Sequence, residues 1–292
     1  MSSDKSSSSK SSATSQPRSG ELFLVATPIG NLKDITLRAL EVLESADRIA
    51  CEDTRTSGVL LKHYGIKTPM KAYHTHNEAE ATQQLVAELS AGKRIALISD
   101  AGTPLLSDPG ARLVKAAIEA GVRVTPIPGA SALLSAITVA GLPSEQFFYA
   151  GFLPNKSGAR KEALKPFTAL QATLVFYEAP HRLLDSLADL REIYGEREAA
   201  VARELTKLHE ECVRGTLSDI IAHFEAHAPR GECVILVHGA APAAAMGDDA
   251  IDAALREAMK ESSLKEAVAQ VSEHAGRAKS DVYARALALK NA

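Results

Sequence analysis

Three loops rich in glycine, proline and small polar residues carry most of the chemistry that this sequence could perform. The first is Thr27-Pro28-Ile29-Gly30-Asn31. The second runs from Ser99-Asp100-Ala101-Gly102-Thr103-Pro104 to Ser107-Asp108-Pro109-Gly110. The third is Pro126-Ile127-Pro128-Gly129-Ala130-Ser131. Each follows a short apolar run. Glycine lets backbone approach a ligand closely and proline fixes the turn, so the three together suit a shared ligand site built largely from main chain. Each loop also admits a plain structural reading, with Asp108 capping a helix that has Pro109 at its first position and Ser131 capping the next helix.

Further along, Glu178 and Glu204 each close a strand-like run beside an arginine-bearing stretch. A carboxylate there could accept a proton from a weak nucleophile. Arg182 and Arg203 could grip phosphates or simply neutralise those carboxylates. The segment Lys156–Lys165 holds Lys156, Arg160, Lys161 and Lys165 against one acid. It reads as a basic loop for a polyanion or, more plainly, as a solvated helix start.

Other chemistries find no support in the spacing. The chain has no GxGxxG after a strand, no GxxxxGK[ST], no GxSxG and no HExxH, and its three cysteines, Cys51, Cys212 and Cys233, are far apart. A conventional nicotinamide enzyme, an NTPase, a serine hydrolase and a disulfide scaffold are thereby disfavoured. No metal site is expected, since His74 and His76 lack a third ligand nearby. A reduced, cytoplasmic setting fits the cysteine usage.

The elements that must position these residues alternate. Leu22–Ala26, Arg48–Cys51, Arg94–Ser99 and Arg123–Ile127 read as strands. Between and after them, Thr36–Ser45, Thr54–Tyr64, Glu78–Ala91, Ala111–Ala120 and Ala130–Ala140 read as helices. This is a βαβ pattern and predicts a mostly parallel sheet with its loops at the carboxyl ends of the strands, where open α/β sheets bind ligands. The pattern pauses at 141–145. Beyond lie strands at Gln146–Gly151, Thr173–Glu178, Ala199–Arg203, Glu210–Arg214 and Glu232–His238, with helices at Ala159–Leu170, His181–Tyr194 and Leu217–Ala226, which predicts a second, mixed sheet.

The expected organisation is a serine-rich arm over 1–20, one α/β domain over 21–142, a second over 143–240, and a linker with a helical extension over 241–292. In the extension Leu264, Ala267, Val268 and Val271 form a helical stripe, Gly276 a stop and Ser280 an N-cap. The pair fits a helix-turn-helix or a packing element equally well. Seven basic and eight acidic residues from Asp248 onward give no nucleic-acid bias.

The 292 residues are 46% hydrophobic and 24% charged with a net charge of −3. These are ordinary globular values and exclude bulk electrostatic binding of a polyanion. No run is apolar enough to span a membrane, and the arm lacks the apolar region of a secretory signal. Aromatics make up 4% with no tryptophan, so shape and phosphate contact must outweigh base stacking in any RNA complex.

LFLVATPIGNLKDITLRALEVLESADRIACEDTR, LISDAGTPLLSDPG, PIPGASALLSA, VFYEAPHRL and ARELTKLHEE, in that order over residues 22 to about 239, resemble the bacterial ribosomal RNA small-subunit methyltransferase I family of the tetrapyrrole methylase superfamily. The tail is similar to the helix-turn-helix extension of its members. The resemblance implies two α/β domains of tetrapyrrole-methylase type with a cofactor cleft between them. It implies S-adenosyl-L-methionine as cofactor, and 2′-O-methylation of a cytidine ribose in the decoding region of small-subunit (16S) rRNA. Pro28, Gly30, Asp100, Gly102, Thr103, Pro104, Ser131, Ala132 and Tyr177 would then hold the cofactor, and Glu178, Glu204 and Arg203 would serve catalysis. Lys156, Arg160, Lys161, Lys165 and Arg182 would contact RNA. The partners implied are the small ribosomal subunit and a second copy of the chain, with neither DNA nor a membrane involved.

Corrin-precursor methylases carry a GGDP-type loop where this chain has Ser99–Pro104. That departure weakens the alternative of a tetrapyrrole substrate, as does the basic segment 156–165. A non-catalytic ribosome-assembly factor on the same fold is a third reading, separable by whether methyl transfer occurs.

Overall fold

The computed structural model describes residues 20–242 and 245–291. The serine-rich arm lies outside these residues, apart from Gly20. The described residues up to Phe167, with Thr173–His238, make one compact unit; Thr168–Ala172 and the residues from Gly239 make another.

In the larger unit, β1 (Glu21–Val25), β2 (Arg48–Cys51), β3 (Met70–Ala72), β4 (Arg94–Ile98) and β5 (Arg123–Ile127) form an all-parallel sheet in the order β3-β2-β4-β1-β5. Helices α1 (Leu37–Ser45), α2 (Thr54–His63), α3 (Glu78–Ser90) and α4 (Ala111–Glu119) follow the strands as expected. Both sheet faces are covered, which is why the strands read as unbroken apolar runs. Phe23, Val25, Leu43 and Ile49 pack on one side, and Leu22, Leu85, Ile95 and Leu113 on the other. The short β3, partly buried, gave no apolar run to reveal it.

The second sheet contains β6 (Phe147–Phe152), β7 (Thr173–Glu178), β8 (Glu198–Arg203), β9 (Glu211–Thr216) and β10 (Cys233–Val237), ordered β6-β7-β10-β8-β9. Only β6 and β7 are parallel; the other pairs are antiparallel. The mixed sheet predicted from the spacing is therefore present. Helices α6 (Ser157–Leu164), α7 (Leu183–Tyr194) and α8 (Leu217–Ala226) accompany it.

One element departs from the expected division. Helix α5 (Ala132–Ala140) precedes the boundary placed at 141–145, yet Leu133, Ala136, Ile137 and Ala140 pack into the core of the second sheet against Val175, Ala200 and Leu236. Ser131 caps α5, its Oγ accepting from Leu134 N at 3.4 Å, and Gly141 ends it in the left-handed region. The third loop therefore runs from a strand of one sheet to a helix packed on the other.

The smaller unit holds α9 (Asp248–Glu261), α10 (Leu264–Ala275) and α11 (Lys279–Asn291). Three helices stand where two were expected. Ile251 and Leu255 of α9 join Val268, Val271, Ala275, Val282 and Ala286 in one core. Ser263 and Glu266 form a capping box at the start of α10, and Gly276 ends it at φ 61°. The last helix begins at Lys279, so Ser280 lies inside it rather than capping it.

Candidate functional site

The sheet order makes the three loops neighbours. Strand β1 lies between β4 and β5, so Thr27, Ser99 and Pro128 all emerge at the carboxyl edge. The first two loops are then stitched together. Thr27 N donates to Gly102 O at 2.9 Å and Gly102 N to Thr27 O at 3.0 Å. Thr27 Oγ1 adds a bond to Ser99 O at 3.1 Å. Thr103 Oγ1 reaches Ala130 O in the third loop at 3.2 Å. Gly102 holds φ 81°, and a Cβ there would stand 3.3 Å from Ile29 Cγ2.

Over these loops opens a cleft of about 280 Å³ whose other wall is the second sheet. Asp100, Gly102, Thr103, Ala132, Tyr177, Glu178 and Glu204 line it. Pro28, Gly30, Pro104 and Ser131 do not line it. Pro28 is buried behind the loop, Ser131 serves α5 as cap, and Gly30 makes room for the Lys207 side chain, which a Cβ would strike at 2.5 Å. Tyr177 ties the two walls together: its hydroxyl accepts from Leu133 N at 3.1 Å, and its ring packs edgewise on Tyr149 and Phe152. Burial pushes the Tyr177 hydroxyl well above the usual phenol range.

Several lining residues escaped the sequence reading. Glu52 follows β2, which the sheet order places beside β4. Asp108 lies in the second loop but does not cap α4; Gly110 does, at φ 138°. Glu232 and Cys233 come from the start of β10, and Lys207 from the loop after β8. Carboxylates thus crowd one region. Burial first, and then Glu52, Asp100 and Glu232, push Asp108 up to about 6. Burial and Asp100 also raise Glu52, and burial pushes the Cys233 thiol up to about 12.

Backbone strain collects here as well. The four non-glycine residues with positive φ among the described residues are Leu105, Ser107, Glu204 and Thr206. They belong to two loops that face the cleft. Such conformations cost free energy and persist where surrounding structure enforces them, commonly at sites.

The expected catalytic and RNA-contacting residues are less free than their charges suggested. Glu178 is 1% exposed. It accepts from Ala179 N at 2.9 Å, Ser186 Oγ at 2.5 Å and Arg182 Nη2 at 3.2 Å. Arg182 also donates to Leu153 O and Pro154 O. Glu178 and Arg182 are paired and largely buried, so Arg182 is not a surface cation. Arg203 pairs with Glu211 at 2.5 Å and does not line the cleft; Glu204 pairs with Lys207 at 2.7 Å.

Arg160 corrects the basic-surface reading. It is buried, bonded to Asp189 at 2.6 Å and to the carbonyls of Pro154 and Asn155. Lys161 pairs with Asp189 and Glu192, and Lys165 with Glu162. Of the four, Lys156, exposed ahead of α6, and Lys165, exposed beside Glu162, keep the form expected of a phosphate contact.

A parallel five-stranded sheet facing a mixed five-stranded sheet across an acidic, loop-built cleft is a two-sheet methylase fold. The family model described as Tetrapyrrole (Corrin/Porphyrin) Methylases matches residues 21–221, and that described as RsmI C-terminal HTH domain matches 245–290. A protein of Mesorhizobium japonicum named Ribosomal RNA small subunit methyltransferase I is 50% identical over 94% of each chain. Its namesake in Pseudomonas aeruginosa is 48% identical over 92% of this chain and 97% of its own. The crystal structure of uroporphyrin-III C-methyl transferase from Thermus thermophilus complexed with S-adenyl homocysteine shares the fold, with a TM-score of 0.54, 21% identity, and 74% and 97% of the two chains covered. The chain belongs to the tetrapyrrole methylase family, in its ribosomal RNA small subunit methyltransferase I branch.

Proposed function

We propose that the chain transfers a methyl group from S-adenosyl-L-methionine to ribosomal RNA, at the 2′-hydroxyl of a cytidine in the decoding region of the small subunit. The observation that carries this reading is near-50% identity, along nearly the whole chain, to relatives named for small-subunit rRNA methylation. The corrin-type readings have only the shared fold behind them.

The cleft fits the cofactor chemically. Asp100, Glu52 and Glu232 line it with one lysine, Lys207, whose charge Glu204 already balances. A net-negative lining suits a sulfonium that also carries an ammonium. Leu106, Leu205, Val234 and Phe152 offer apolar wall for a purine and a thioether. Gly102, without a side chain, lets the floor of the cleft come close to a ligand between Ile29 and the Ala130 carbonyl. The residues that would hold the cofactor are Asp100, Gly102, Thr103, Ala132 and Tyr177, with Glu52 added by the structure.

When bound, the cofactor supplies an activated methyl group for in-line displacement. The protein's task is then positional: loops bridged at Thr27–Gly102 and Thr103–Ala130, and a wall fixed by Tyr177, hold the two reactants aligned. Positioning of this kind can supply several kcal/mol of the barrier. Exposed Lys156 offers a contact for the polyanion. A second copy of the chain would extend that surface.

The test is transfer of labelled methyl to small ribosomal subunits from cells lacking this gene, followed by digestion. Label in 2′-O-methylcytidine is the expected result. Unlabelled subunits in the presence of bound cofactor would overturn the rRNA reading, and label on an added porphyrinoid would replace it.

A further inference from the structure

A ribose hydroxyl attacks poorly while it keeps its proton, so the site should hold a carboxylate free to take it. The carboxylates at first sight suited to this are engaged elsewhere. Glu178 lines the cleft but is buried with three donors on it, and Glu204 is held by Lys207. Asp100 accepts the backbone N–H of Asp53 at 3.1 Å.

Asp108 differs from each of these. It lines the cleft, partly buried, and no lysine or arginine pairs with it among the described residues. It was released from helix capping when Gly110 took that position. Its loop is fixed in place: Ser107 Oγ and Tyr149 Oη are 2.6 Å apart, and Leu105 and Ser107 both hold positive φ.

We infer that Asp108 is the proton acceptor for the attacking hydroxyl, an assignment that rests on the chain being a ribose 2′-O-methyltransferase. The bond from the ribose oxygen to the methyl carbon forms as the carbon–sulfur bond breaks. The electron pair of the broken bond stays on sulfur. The hydroxyl proton passes to a carboxylate oxygen of Asp108 and from there to solvent.

The surroundings suit this task. The groups facing Asp108 are Glu52 after β2, Asp100 after β4, Glu232 before β10, and the hydroxyls of Tyr149 and Tyr177. All are acids or neutral phenols, so its proton affinity is lifted toward neutrality, where a general base works best.

The experiment compares the parent chain with Asp108→Asn on methyl-deficient small subunits between pH 5 and 9. Binding of S-adenosylhomocysteine, measured by calorimetry, checks that the variant is folded with its cofactor site intact. The expected result is a kcat lowered roughly 100-fold or more, KM for the subunit and cofactor affinity within about threefold, and loss of the acid limb expected of the parent near pH 6. A kcat within threefold of the parent, or an acid limb that persists in the variant, overturns the assignment while leaving the ribose-methylation reading intact. Absence of ribose label with the parent chain itself overturns both.

Discussion

Thr27 and Gly102 exchange a pair of backbone hydrogen bonds across 75 residues of sequence, so the loop after β1 and the loop after β4 act as one rigid floor. This bridge explains why a left-handed glycine sits at the base of the cleft. At φ 81° Gly102 both gives and accepts toward Thr27, and Asp100 and Thr103 lie beside the cavity.

Gly102→Val is therefore expected to fail in two ways. A branched side chain in the left-handed region costs roughly 1–2 kcal/mol, and its Cβ meets Ile29 Cγ2 at 3.3 Å. Cofactor affinity should fall at least about tenfold, some 1.4 kcal/mol. Calorimetry with S-adenosylhomocysteine reads the second effect, and thermal unfolding reads the first.

Arg160 and Lys156 should separate cleanly although both were expected to contact RNA. Arg160→Ala strips Asp189 of its buried partner, which costs roughly 3–5 kcal/mol, and also removes donors to two carbonyls. Chemical denaturation should show this loss. Lys156→Ala should leave stability within about 0.5 kcal/mol but reduce the salt dependence of RNA affinity by about one unit of slope. A salt slope that moves with Arg160 and not with Lys156 would reverse this division.

Those two positions show how far sequence reaches. Four basic residues within ten told truly of charge, but the fate of that charge was set by Asp189 and Glu192 on α7, about thirty residues away. The loops at 27–31, 99–110 and 126–131 were legible because glycine, proline and an apolar strand before each are local signals. Glu52 was not legible as a site residue, since its place depends on β2 pairing with β4, a register that no local pattern displays. Asp108 was visible within the second loop, but its part stayed open, because Asp before Pro is also the usual sign of a helix cap, a role that Gly110 takes. Helix α9 was missed where its Ile251–Leu255 stripe is short and its partners lie on α10 and α11.

Glu178 is expected to behave as a structural carboxylate. Glu178→Gln retains the shape but removes the charge that faces Arg182, whose guanidinium is itself largely buried. An uncompensated buried cation should cost roughly 3 kcal/mol, seen as a lower denaturation midpoint with unchanged slope. A loss below about 1 kcal/mol would mean that Arg182 does not depend on this charge and would return Glu178 to the candidate bases.

Asp108 should show the opposite sign. Its carboxyl titrates near 6 in the folded chain against 3.8 as the ordinary value. Between those values the folded state binds more protons than the unfolded one, so this group's contribution to stability falls as pH rises through the window and stays low above it. Asp108→Asn removes the ionisable group and with it that loss. The variant should therefore gain stability relative to the parent at pH 8, and the gain should shrink toward zero near pH 4. Thermal unfolding at the two pH values checks this. A residue kept against stability where activity collapses without it is the trade-off expected of a working site. A variant less stable than the parent at pH 8 would show instead that the carboxylate holds its loop in place.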